Sequence, residues 1–200
     1  GSLPEINFRT PSRFRQFMVF AQRDILSKAA DLQYVLITLL EAPVLAFFLA
    51  YLIRYFDESA KNPEYTLMEN SNLPVYLFMS VIVAIFMGLT VSAEEIIKDR
   101  KILKRESFLN LSWNSYLVSK VLVQFGISAV QALTFVLIGN AITGIKGMTF
   151  EYWLVLFSCW ASANMLGLVI SDSFKTVVTI YILIPFLVIP QIILSGVMVK

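Results

Sequence analysis

The chain has 200 residues, of which 58% are hydrophobic and only 15% are charged, and its formal net charge is +2. Because soluble domains are ordinarily about a quarter charged, this composition excludes a typical water-soluble protein. The small net charge gives no basis for nucleic-acid binding. The single cysteine, Cys159, excludes an intrachain disulfide. The chain has no histidine, and so it lacks the commonest general base and metal ligand.

The segment before the first long apolar run predicts an amphipathic helix. Gly1-Ser2 resembles a scar left by tag removal, and Thr10-Pro11 is a suitable helix start. Apolar residues then share one face at helical spacing: Phe14, Phe17, Met18, Ala21 and Ile25. Such a helix either lies on the inner membrane surface or packs on a soluble domain, and we assign residues 1–31 to a cytoplasmic connecting helix.

Five apolar runs of 20 to 25 residues follow, separated by short charged segments. At about 1.5 Å per residue, each is long enough to cross a hydrocarbon core of about 30 Å. The predicted spans are 32–53, 73–93, 121–145, 152–171 and 176–199. The sequence therefore predicts an all-α, polytopic membrane bundle over residues 32–200.

The positive charges orient this bundle. With a cytoplasmic N-terminus, twelve of the sixteen Lys and Arg residues lie inside, and only four lie outside: Arg54, Lys61, Lys146 and Lys200. This bias follows the positive-inside rule. Acidic residues gather in the first outer loop, which is typical of a solvated loop: Asp57, Glu58, Glu64 and Glu69.

The longest inner segment, residues 94–115, carries many paired charges. Glu94 and Lys98 form a favourable i,i+4 pair, and the residue types favour helix. We expect the second span to continue to about Arg100, followed by a break and a short separate helix. Residues 111–116 predict a turn, with Ser112 or Asn114 capping the third span.

The spans contain little that supports catalysis. There is no GxxxxGK[ST], GxSxG, CxxC or HExxH motif, and no metal site is predicted. Glu41 is the one ionisable residue within a run; it fits a transport pathway or polar relay, a structural role, or an interfacial position. The amides, among them Gln124, Gln131, Asn140 and Asn164, are typical of contacts between helices.

At residues 94–120 the chain resembles the first intracellular loop of G-type ATP-binding cassette exporters. The resemblance rests on Glu-Glu-Ile-Ile-Lys-Asp-Arg-Lys-Ile-Leu-Lys-Arg-Glu from Glu94, and on Ser-Tyr-x-x-x-Lys from Ser115. It implies a type-2 permease domain whose coupling helix docks on an ATP-binding domain. The implied coupling residues are Asp99, Arg100, Lys101, Lys104, Arg105 and Glu106.

The resemblance also implies partners and a pathway. ATP and magnesium would bind an associated ATPase domain, fused or separate, and two permease domains would form a homodimer or heterodimer in a bacterial inner membrane or a plasma membrane. A hydrophobic or amphipathic substrate would pass residues such as Glu41, Phe47, Phe48, Phe125 and Gln131. Because the family has six spans, the chain is expected to be a fragment without the sixth span and the ATP-binding domain.

Two other functions remain open at this point. A permease-like scaffold or envelope-signal sensor would show no substrate flux. A membrane-embedded enzyme is disfavoured by the lack of histidine and of acid pairs within the spans. The basic inner segment also has a simpler interpretation, in which it fixes topology and binds anionic lipid.

Overall fold

The computed structural model describes residues 11–54, 72–106 and 111–195, and all regular structure within them is helical. The helices are α1 (Arg13–Ala30), α2 (Leu32–Ile53), α3 (Leu73–Ala93), α4 (Glu95–Glu106), α5 (Trp113–Thr143), α6 (Thr149–Ser173) and α7 (Val177–Leu194). Within these described ranges, five helical stretches are long and apolar enough to cross a membrane: α2, α3 with its continuation α4, α5, α6 and α7. The predicted all-α membrane bundle is confirmed. The acidic outer loop and the tag scar lie outside the described residues.

One residue joins α1 to α2. The backbone N–H of Asp31 donates to the Lys28 carbonyl, and its Oδ1 accepts from the N–H of Tyr34 at 3.1 Å. Asp31 therefore ends one helix and caps the next. At the other end of α1, Ser12 is the cap, so the predicted start at Thr10-Pro11 is wrong: Pro11 precedes the helix.

The break after the second span comes at Glu94, not near Arg100 as predicted. A break leaves the first N–H groups of the new helix without partners. Here Ser171 Oγ on α6 accepts from the N–H groups of Ile96 and Ile97, at 3.0 and 3.2 Å. This distant hydroxyl stabilises a helix start at Glu95.

The third span begins earlier than predicted. Ser112 caps α5, accepting from the N–H of Ser115 at 3.4 Å, so residues 113–116 are helix and the predicted turn is wrong there. Gly144, at φ 79°, ends the helix. The junction of the fourth and fifth predicted spans also moves, because α6 runs to Ser173 and α7 starts at Val177.

The bundle is held most closely where α3 meets α6. A Cβ added at Gly88 would lie 2.7 Å from the Ala163 Cβ, and one added at Gly167 would lie 3.0 Å from the Leu89 carbonyl oxygen. Small residues at such positions let helix backbones approach within the membrane. The adjoining core is fully buried around Trp160.

Candidate functional site

Helix α1 turns a polar face toward the bundle. Gln16 and Asp24 are buried with Phe20, whereas Phe14 is 72% exposed. The Gln16 side chain accepts from the N–H of Ser112 at 2.7 Å, which fixes α1 against the start of α5. The apolar residues that would meet lipid, among them Phe14, Met18 and Ile25, are exposed. The position of α1 on a membrane surface stays a prediction.

Five charged side chains meet between α1, α4 and α5, and we call them the charged cluster: Asp24, Lys28, Glu95, Asp99 and Lys120. Lys120 Nζ lies 2.5 Å from Asp24 Oδ1, 3.0 Å from Glu95 Oε2 and 2.9 Å from Asp99 Oδ2. Lys28 Nζ lies 2.6 Å from Asp24 Oδ2 and 2.8 Å from Glu95 Oε2. The two ammonium groups thus bridge carboxylates from two helices.

The cluster is largely shielded from solvent. The Lys120 and Asp24 side chains are only 5% and 9% exposed. Burial raises the pKa of the Asp24 carboxyl, but the charges of Lys28 and Lys120 outweigh this effect and hold that pKa below its ordinary value. At neutral pH Asp24 is therefore ionised and paired.

An aromatic residue supports the cluster. The Tyr116 hydroxyl donates to Asp99 Oδ2 at 3.0 Å, and the ring of Phe20 meets the Tyr116 ring edge-on at a centroid distance of 5.7 Å. A second ion pair lies nearer the surface, where Arg23 Nη1 is 2.9 and 3.0 Å from the Glu106 carboxylate oxygens. Since both side chains of that pair are about a third exposed, it contributes less than the buried contacts.

The other side of α4 is held by the ends of α6 and α7. Arg100 donates to the carbonyl oxygens of Ser171 and Asp172, at 3.1 and 2.5 Å, where helix α6 ends and leaves its carbonyls without helical partners. The Tyr181 hydroxyl on α7 donates to the Glu94 carboxylate at the break before α4. Helix α4 is thus joined to α1, α5 and α6, and Glu94, which precedes it, is joined to α7.

The residues predicted for coupling divide into two sets. Asp99, Arg100 and Glu106 point into the protein and make the contacts above. Lys101, Lys104 and Arg105 are exposed, and we call them the basic edge of α4. Their contact with a partner stays a prediction.

The residues predicted for a substrate pathway are not gathered into one site. Glu41 is half-buried, while Phe47 and Phe48 are exposed on α2, with Phe47 stacked on Tyr51. Phe125 on α5 meets Phe157 on α6 edge-on. Gln131 is buried and donates to the Thr38 carbonyl at 3.0 Å, so it joins α5 to α2.

Three members of the charged cluster were not predicted as functional from the sequence: Asp24, Lys28 and Glu95. Lys120 was counted only for orientation and as part of the Ser-Tyr-x-x-x-Lys resemblance. A signal was present, because Asp24 and Lys28, and likewise Glu95 and Asp99, are spaced i,i+4 and so share a helix face. Lys120 immediately precedes an apolar run, which is where a buried cation most needs partners.

A scan against protein families matched one family model, described as ABC-2 type transporter, over residues 15–200. The match includes every residue of the charged cluster and of the basic edge. Comparisons with curated proteins and with solved structures gave no match.

Proposed function

Because the chain belongs to the ABC-2 type transporter family, we propose that it couples the ATP cycle of an ATP-binding cassette ATPase to export across the membrane. Family membership makes the chain the membrane-spanning permease part of such a system and not itself a catalyst. We further propose which element receives the ATPase, which residues transmit its movement and which class of substrate is exported. Within the family, we assign the chain to the G-type exporters, which it resembles at residues 94–120.

The observation that supports this proposal is the way α4 is held. One side of the helix carries the basic edge, and the other side is joined through Asp99, Arg100 and Glu106 to three neighbouring helices. A helix held in this way moves together with its neighbours. Force applied to the basic edge would therefore reach α5 through the charged cluster and α6 through its last carbonyls.

The basic edge suits a partner surface that carries negative charge. Lys101 and Arg105 are exposed and lie four residues apart, on the same side of α4. Complementary charges orient a docking partner and raise the association rate. We assign α4 the role of coupling helix and the ATPase, fused or separate, the role of partner, with ATP and magnesium bound by that partner.

The transported substrate would be hydrophobic or amphipathic. Two copies of this domain would form the pathway, with Glu41, Phe47, Phe48, Phe125 and Gln131 as its candidate residues. The aromatic members are apolar, and the exposed Phe47 and Phe48 are placed to meet a second copy or lipid. This part of the proposal depends on the family resemblance.

Charge reversal at the basic edge tests the coupling role. The double variant Lys101→Glu, Arg105→Glu is expected to lose most ATP-driven transport and most cross-linking between α4 and the cognate ATPase, because like charges would then face each other. Insertion and thermal stability should stay close to those of the unaltered protein, since both residues are exposed. Lys175→Glu is the matched control, being an exposed inner lysine on the turn between α6 and α7.

Normal transport by the double variant, or an equal loss in Lys175→Glu, would contradict the coupling role. A complex that binds ATP and cross-links at α4 but never moves substrate would favour the scaffold or sensor. Both measurements use the full permease together with its ATPase, and the native Cys159 is replaced by Ser before cross-linking.

A further inference from the structure

A lateral groove runs between α1, α2 and α5. Its volume is about 590 Å³, and its walls are almost entirely apolar. Each helix contributes to the lining: Ala21 and Ile25 from α1, Val35 and Leu39 from α2, and Leu122 and Gly126 from α5.

Gly126 leaves space that no neighbouring residue requires. A Cβ built on Gly126 would meet no atom of the described residues within 4 Å, in contrast to Gly88, where it would meet α6 at 2.7 Å. Glycine inside a helix costs about 0.5–1 kcal/mol relative to alanine. Close packing explains Gly88, whereas at Gly126 the absent side chain widens the groove.

The mouth of the groove faces lipid. Leu39 on α2 and Leu122 and Val130 on α5 are each about half exposed, and these two helices cross the membrane. The groove surface is therefore continuous with the surface that the protein presents to hydrocarbon tails. A hydrocarbon tail can therefore enter it sideways from the bilayer.

The groove offers no spare charge to an ionic ligand. Lys28 is the one charged residue among those that line it, and its ammonium group is already paired with Asp24 and Glu95. Its aliphatic stem is what remains to contact an occupant. The amide of Gln131, another polar residue of the lining, donates to the Thr38 carbonyl. These contacts favour an uncharged hydrocarbon chain over a charged head group.

We propose that the lateral groove binds one acyl chain of a bilayer phospholipid, with the head group outside the groove at the end near α1. The bound chain fills the space beside Gly126 and supports α1 against α2 and α5. None of the three residues of the basic edge lines this groove.

Photolabelling in a defined bilayer tests the proposal. The chain is placed in phosphatidylcholine nanodiscs that contain a phospholipid with a diazirine on its acyl chain, irradiated, and mapped by mass spectrometry. Label on Val35, Leu39 and Leu122 is expected to exceed, several-fold, the label on Leu133 and Leu137. The latter pair are similarly exposed on α5 and do not line the groove.

Filling the groove supplies the second measurement. Gly126→Leu should lower the groove label several-fold, and Gly126→Ala should lower it by an intermediate amount and serves if the leucine variant does not fold. Ala141→Leu, which adds bulk to an exposed position of α5 outside the groove, should leave the label unchanged. Equal label at groove and reference positions, or undiminished groove label in a folded Gly126 variant, would overturn the proposal.

Discussion

Lys120 Nζ on α5 and Asp99 Oδ2 on α4 lie 2.9 Å apart, and the Lys120 ammonium group also contacts the carboxylates of Asp24 and Glu95. One cation thus joins three helices, α1, α4 and α5. In the coupling role proposed above, this contact would carry a movement of α4 to α5.

Removing that cation should destabilise the whole junction. Lys120→Met keeps the length of the side chain but leaves Asp99 without its ammonium partner, and leaves Lys28 as the one cation of the cluster for Asp24 and Glu95. We expect the free energy of unfolding to fall by about 3–5 kcal/mol, the usual cost of leaving a buried charge without its partner. Thermal melting in detergent measures the change. Lys175→Met, at an exposed lysine, is the control and should melt like the unaltered protein.

The pairing of Asp24 predicts a pH dependence. Its pKa is lowered from the ordinary 3.8, so the ionised form contributes stability that is fully present above about pH 4 and is lost as the pH falls through the lower, folded pKa. Melting temperatures should therefore be insensitive to Asp24 between pH 5 and 8 and should fall in more acid solution. Asp24→Asn should be less stable at pH 7 and should show a smaller further loss on acidification. A variant that is as stable as the unaltered chain at pH 7 would refute the pairing.

The two kinds of helix glycine should respond oppositely to alanine. Gly88→Ala places a Cβ 2.7 Å from the Ala163 Cβ and 2.8 Å from the Trp160 carbonyl oxygen, neither of which can yield easily. Overpacking of this kind costs about 1–3 kcal/mol. Gly126→Ala meets nothing and gains helix propensity, about 0.8–1.0 kcal/mol. Comparing the two variants by thermal melting tests the packing of α3 on α6, and equal effects would contradict it.

Two buried amides should also differ. Asn164 on α6 donates to Ser128 Oγ on α5 at 2.6 Å, whereas both amide atoms of Gln124 lack a partner within the described part of the chain. Asn164→Leu should lower stability by about 1–3 kcal/mol, because it leaves Ser128 unpaired. Gln124→Met, of similar shape, should leave stability unchanged or raise it. Thermal melting of both variants measures these changes in stability. A large loss of stability in Gln124→Met would show that the Gln124 amide is paired.

The membrane helices could be predicted closely because they depend on local composition. The predicted spans 32–53 and 73–93 coincide with α2 and α3, since each apolar run is bounded by residues that cannot enter hydrocarbon. The third span was predicted to begin eight residues after Trp113. The first turns of α5 contain polar residues such as Ser115 and Lys120, so their sequence resembles that of a loop. They are helical in the structure, where they pack on α1.

The candidate site could be predicted only in part because its contacts join distant residues. Asp99, Arg100 and Glu106 were identified through resemblance, and their partners were not. Asp24 and Lys120 are separated by 96 positions, and the Ser171 hydroxyl that stabilises the start of α4 lies 75 positions from Ile96. No local pattern around Glu94 specifies where the break falls, because the deciding group belongs to another helix.

The joint at Asp31 makes this part of the chain intolerant of changes in length. A single inserted residue in an extended conformation would add about 3.3 Å between α1 and α2. That increment exceeds every ion-pair distance around Lys28 and Lys120. Insertions and reporter peptides therefore belong elsewhere in the protein, since one extra amino acid here would misalign the partners that α1 brings to α4.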